Sequence, residues 1–146
     1  YRIRDVVKYS GEGLIPYTSD EVLLVLTGEA AGCVDMSKIS GQQIRIEADT
    51  VFLVLPEPEL CYFKINHQET KVYDLSLTKL FDKTKLLEGA FKKAEKEVEI
   101  TAIQSGLMEQ TRQNAILVLT PLLENLTQKK VQISFELPTA PLGQGL

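Results

Sequence analysis

The sequence is poor in the side chains that most often carry chemistry. One histidine, His67, and two cysteines, Cys33 and Cys61, are the whole supply of imidazole and thiol groups. A Ser-His-Asp arrangement would have to use His67, and no nucleophile-elbow pattern of the form G-x-S-x-G accompanies it. A zinc site would have to join His67 to Cys33, Cys61 or carboxylates, and none of the close ligand pairs that specify such a site is present. His67 follows Asn66 in a segment that reads as a turn, so it reads as a solvated side chain. Basic residues are also in deficit, 16 Lys and Arg against 20 Asp and Glu, for a net charge of -4. A general nucleic-acid binder needs a basic face to neutralise phosphates, so no nucleic acid is expected as a partner. The five Tyr and five Phe are scattered, without the basic interleaving that accompanies base stacking. No run of about 18 apolar residues occurs, so no membrane span is expected within the sequence.

What is present fits one globular domain with a real core: 146 residues, 44% hydrophobic and 25% charged. We expect a single domain over 1–146, with its core at about 20–137 and a loose tail from Pro138 to Leu146. The chain is organised around Thr84 to Leu126. Leu87, Phe91, Ala94, Val98 and Ala102 recur at spacings of three or four and form one stripe of a helix. The Lys and Glu residues between them form a solvated face. Ser105-Gly106 marks a kink or a helix boundary. Beyond it Met108, Thr111, Ala115, Val118, Leu122 and Leu126 form a second stripe, widened by Leu119 and Leu123. Pro121 either bends this helix or starts a last short one capped by Thr120. These apolar faces need a large partner surface, and a sheet built from the rest of the chain is the candidate.

The strands follow from alternation and from short apolar runs. Ile3, Val7 and Tyr9 alternate with Arg2, Arg4 and Lys8 as an edge strand, ended by Ser10-Gly11-Glu12-Gly13. Val22 to Thr27 reads as a buried strand. The small residues from Gly28 to Met36 let the backbone pass close to a neighbour and suggest a bulge or bend. They lack the further glycines and the Lys-Ser/Thr of a phosphate-binding loop. Ile44 to Glu47 and Thr50 to Leu55, joined at Ala48-Asp49, form an antiparallel hairpin whose second strand is covered on both faces. Glu59 to Ile65 reads as a third member of that meander, Lys71 to Leu75 as a short strand, and Val131 to Leu137 as a strand returning after the helices. The fold class is therefore α+β, a mostly antiparallel sheet packed against a long broken helix or helix pair. Cys33 and Cys61 lie in strand-like surroundings and read as buried thiols, with a disulfide as the alternative. Among the carboxylates, Glu57, Glu59 and Asp35 are candidates for a paired-acid site; as turn and cap residues they need no such role.

Several stretches together resemble a known family. Gly28 to Lys38 is similar to a G-E-x-x-A-G-I-D-L-S-K signature, Asp49-Thr50 with the run into Leu55-Pro56 to D-T-x-x-x-x-L-P, and Lys71-Val72-Tyr73-Asp74 to K-V-Y-D ahead of a long charged helix. The combination resembles a bacterial domain-of-unknown-function family, number forty-two thirty, over about residues 20 to 137. Thr127-Gln128-Lys129-Lys130 stands where a Gly commonly precedes that family's final strand. The resemblance implies a membrane-anchored or exported protein with an apolar N-terminal segment ahead of this domain, in keeping with a chain that begins at Tyr1. It carries over no catalytic, cofactor or metal residue. The function expected is a non-catalytic interaction or scaffold domain of a bacterial envelope protein, meeting a protein partner or itself, without a cofactor, and touching the membrane only through that preceding segment. The alternative is a binding module for a lipid or other small apolar ligand, held in an internal pocket between sheet and helices.

Overall fold

A computed structural model describes residues 1–12, 19–74 and 83–137. Of the loop expected through Asp20, residues 13–18 lie outside the described residues, as do the end of the short strand at Leu75 and the tail from Pro138, while Ser19 and Asp20 open a strand instead because they pair with Glu12 and Gly11. The fold is α+β: seven strands, β1 (Arg2–Glu12), β2 (Ser19–Cys33), β3 (Ile44–Glu47), β4 (Thr50–Leu55), β5 (Glu59–Ile65), β6 (Lys71–Asp74) and β7 (Lys130–Phe135), with helices α1 (Lys83–Gln104) and α2 (Leu107–Thr127) between β6 and β7 among the described residues. The chain forms two compact units, one of Tyr1–Ala31 with Leu60–Leu107, the other of Gly32–Glu59 with Met108–Leu146.

In the first unit β2 is the long central strand. It pairs antiparallel with β1 from Arg2↔Glu29 to Glu12↔Ser19, and its other edge takes β5 and β6. The alternation read from the sequence is correct in phase, since Ile3 and Val7 are buried and Arg2, Arg4 and Lys8 are exposed. Two further expectations are corrected. β1 continues through Ser10-Gly11, because its backbone pairs with Glu21 and Asp20 and the ladder overrides the local breaker signal. The bulge expected after Gly28 is instead regular strand as far as Cys33.

Helix α1 lies on the face that carries Ile3, Val7 and Leu24. Its buried stripe is Leu86, Ala90, Ala94, Val98 and Ala102, an unbroken spacing of four. The sequence reading began this stripe with Leu87 and Phe91, which are only half-buried and flank it. Three alanines in the stripe bring the helix close to the sheet, and Gly28 is one place of close approach. A Cβ on Gly28 would lie 3.1 Å from both methyl groups of Val98 and 3.3 Å from the Lys64 carbonyl. Backbone on one side and a fully buried Val on the other leave little room to relax. Gly28→Ala is therefore expected to destabilise the fold by about 1–3 kcal/mol, the usual cost of overpacking, seen as a lower denaturant midpoint at unchanged slope. Polar contacts fix the helix along β1: the Lys93 ammonium donates to the Lys8 carbonyl at 2.8 Å, and the Thr101 hydroxyl to the Asp5 carboxylate at 3.4 Å.

The second unit holds a three-stranded sheet in the order β3-β4-β7. The β3–β4 hairpin is as expected, with Ala48 at φ 50° in its turn. β5 is not a third strand of this meander; it joins β2 instead. β7 runs parallel to β4, from Thr50↔Lys130 to Leu55↔Phe135, and parallel neighbours require a long crossover. Register places Ile44, Ile46, Val51, Leu53, Leu55, Val131 and Ile133 on one face. Val51, Leu53, Leu55 and Val131 are buried there. The opposite face is only half covered, and the Arg45 guanidinium lies 4.8 Å over the Phe52 ring.

The two helices meet as predicted. α1 ends at Gln104, Gly106 takes φ 84°, and α2 starts at Leu107; a positive φ at this boundary is the conformation glycine adopts at least cost. Pro121 lies inside α2, which continues to Thr127 without a restart at Thr120. Gln128 follows at φ 55°, the left-handed position usually given to glycine after a helix.

Candidate interaction surface

Helix α2 is anchored near both of its ends. Near its start Thr111 packs on Gly32 so closely that a Cβ on the glycine would collide with the Thr111 hydroxyl. Arg112 pairs with Glu57, which follows β4, and with Glu109 one turn earlier at 2.9 Å. Near its end the Glu124 carboxylate accepts from the Val131 backbone N–H at 3.3 Å. The side chains of this anchored strip, Met108, Thr111, Arg112, Ala115, Leu119 and Leu123, are half-buried.

Among the described residues, several aliphatic side chains of α2 beside and beyond this anchored strip are left exposed. Leu117 is 71% exposed, Val118 65%, Leu122 51% and Leu126 73%. Here the structure corrects the sequence reading, which placed Val118, Leu122 and Leu126 in one sheet-facing stripe. The segment Ala115 to Leu119 is apolar at every position, so it covers the whole circumference of the helix, and one sheet can bury only one side of it. Four aliphatic side chains more than half exposed, with Pro121 among them, make an apolar patch on the order of several hundred Å², a size that marks interaction sites. In the same unit, Ile44 and Ile46 on edge strand β3 are exposed as well.

The polar candidates have close partners. Asp35 caps a short 3-10 turn at Met36–Lys38: its carboxylate accepts from the Ser37 backbone N–H at 3.0 Å and from the Ser37 hydroxyl at 2.6 Å. These bonds hold the Asp35 carboxyl below its ordinary pKa. Glu57 belongs to the Arg112 pair, and Lys38 lies between the other two acids, 4.0 Å from Asp35 and 3.4 Å from Glu59. Among the described residues no three His, Cys, Asp or Glu side chains are placed to share a metal ion.

His67 lies in the turn after β5, as expected, and its ring packs at a tilt of 51° against Phe91, with centroids 5.0 Å apart. Both line an open groove of about 660 Å³ along α1, rimmed by Lys85, Glu88 and Lys92. The cysteines depart from the first reading. Cys33 and Cys61 are disulfide-bonded and no free cysteine remains. Cys61 is exposed and Cys33 only half-buried, so neither is the buried thiol that strand-like surroundings suggested.

With this geometry in hand, comparison with known sequences places the chain. It belongs to the family described as Protein of unknown function (DUF4230), whose model matches residues 1–133. Neither curated proteins nor solved structures yield a match. No helix among the described residues is long and apolar enough to cross a membrane.

Proposed function

We propose that this chain is a non-catalytic interaction or scaffold domain of a bacterial envelope protein, and that α2 is its docking element. The observation that carries the reading is the set of exposed aliphatic side chains of α2 from Leu117 to Leu126. Leaving such side chains in water forgoes most of the roughly 1.5–3 kcal/mol that each gains on full burial. Covering them with a protein partner recovers that free energy. The disulfide supports an oxidising compartment, because such bonds form and persist outside the reducing cytosol. The apolar-ligand reading has less support: the groove beside His67 is open and rimmed by charge, whereas small-molecule sites enclose most of their ligand.

The reading is tested by placing a photo-crosslinking amino acid at position 117 of the full-length protein in its native cell, with position 132 on β7 as control. Light is expected to give a discrete crosslinked protein species from position 117 and none from 132. Equal, diffuse labelling at both positions would defeat the reading.

A further inference from the structure

Within that reading, we propose that the occupant of the α2 face is α2 of a second copy of this chain, packed antiparallel across a two-fold axis. Within the exposed face of α2 lie Asn114, Leu117, Val118, Pro121, Leu122 and Asn125, with Leu126 at its edge. From Asn114 to Asn125 the spacings of three, one, three, one and three put these residues on one face over about three turns.

The order of chemistry along the stripe is nearly the same from either end: Asn, Leu and a compact apolar residue inward from Asn114, and Asn, Leu and a compact apolar residue inward from Asn125. Antiparallel helices related by a two-fold axis set each residue against its mirror position, here about a centre between Leu119 and Thr120. Leu117 then meets the second copy's Leu122, Val118 meets its Pro121, and Asn114 meets its Asn125. Each side-chain amide has both donors and an acceptor, so the two Asn pairs can bond reciprocally at the ends of the contact. A polar pair at a fixed place in an apolar seam also selects one register over its neighbours.

Charge favours the same occupant. From Gln113 to Leu123 the helix has no charged side chain, so two copies can meet without stripping water from an unpaired ion. A lipid surface fits poorly, since helices that lie in a membrane interface carry Lys and Arg on the polar face and aromatics at the boundary; α2 has one Arg, no Lys and no aromatic residue. A seam of about three turns falls short of the ~800 Å² per partner of a standard interface. Association is therefore expected at micromolar rather than nanomolar concentration.

The test uses the purified chain with its disulfide intact and light scattering coupled to size exclusion. The wild type is expected to pass from monomer to dimer as concentration rises to about 100 μM, well above a micromolar dissociation constant. A double variant Leu117→Glu, Leu122→Glu sets like charges against each other in this register, as does Leu117→Lys, Leu122→Lys. Each alone is expected to remain monomeric, with association weakened at least tenfold and unchanged circular dichroism. Mixed one to one, the two are expected to form a heterodimer.

A wild type that stays monomeric throughout, or charged variants that dimerise as the wild type does, overturns the proposal. A mixture that does not re-associate overturns the antiparallel pairing. A monomeric wild type whose position 117 still crosslinks to a different protein ends the self-association alone. Absence of that crosslink as well removes α2 as an interaction surface.

Discussion

Reduction of the disulfide-bonded cysteines Cys33 and Cys61 is expected to lower the unfolding free energy by about 3–4 kcal/mol. The bond closes a loop of roughly thirty residues, and the chain-entropy account gives about 3 kcal/mol for a 15-residue loop and 4.7 for a 100-residue loop. Without the bond the unfolded chain regains that freedom, while the folded contacts stay as they are. Domains of this size are stable by about 5–15 kcal/mol in total, so a large share of the margin would be lost. The check is equilibrium denaturation with and without reductant, alongside the Cys33→Ala, Cys61→Ala double variant. Both should shift the midpoint by the same amount. An unchanged midpoint would mean that the bond does not constrain the unfolded ensemble, and would remove the physical reason for assigning the domain to an oxidising compartment.

Replacing Leu24 by Ala is expected to cost about 2–5 kcal/mol, the range for deleting a fully buried leucine. Leu24 has no exposed surface, lies opposite Val7 in the β1–β2 ladder and sits on the face covered by α1. The cavity left behind would be framed by paired backbone and by the alanine stripe of the helix, neither of which can close over it. Leu126→Ala is the informative contrast. Leu126 is at least as apolar and lies in a regular helix, yet the same truncation at submicromolar concentration should change stability by no more than about 0.5 kcal/mol, as at other surface positions. Thermal or chemical denaturation of the two variants measures both. A large loss from Leu126→Ala would show that its side chain is part of the folding core and that α2 has no free apolar face.

Much of this architecture was legible in the sequence because the signals were local. Ser105-Gly106 divides two helices, as one glycine at positive φ requires, and the alternation of Val131, Ile133 and Phe135 announces β7. The small residues at Gly28 and Ala30 foretold a close approach, although not that Val98 would make it. What alternation cannot state is which strand lies alongside. Glu59 to Ile65 has the pattern of a meander strand and still pairs with β2, a neighbour from earlier in the chain. Phase in α1 was misread by one residue at Leu87 and Phe91, since Leu86 and Ala90 fit the same period and only the sheet decides between them.

The site was less legible than the fold, for a related reason. An apolar residue at helical spacing says that it is to be buried and does not say by what. Leu119 and Leu123 belong to the anchored strip of α2, while Leu117 and Leu122 turn to water, and nothing in their chemistry separates the two pairs. The near-symmetry of Asn114 and Asn125 about the centre of the helix was present in the sequence from the start. It acquires meaning only once that face is known to be uncovered.

Hydroxyl-radical footprinting of the full-length protein in living cells tests the central claim most directly, with Leu137, 89% exposed, as an internal reference for a freely accessible aliphatic side chain. If the α2 face is occupied, Leu117, Leu122 and Leu126 should be oxidised several-fold less than Leu137, and protection should be lost in the Leu117→Glu, Leu122→Glu variant at Leu126. Oxidation of all three at the rate of Leu137 in the wild type would show that the face stays in water, and would contradict the account.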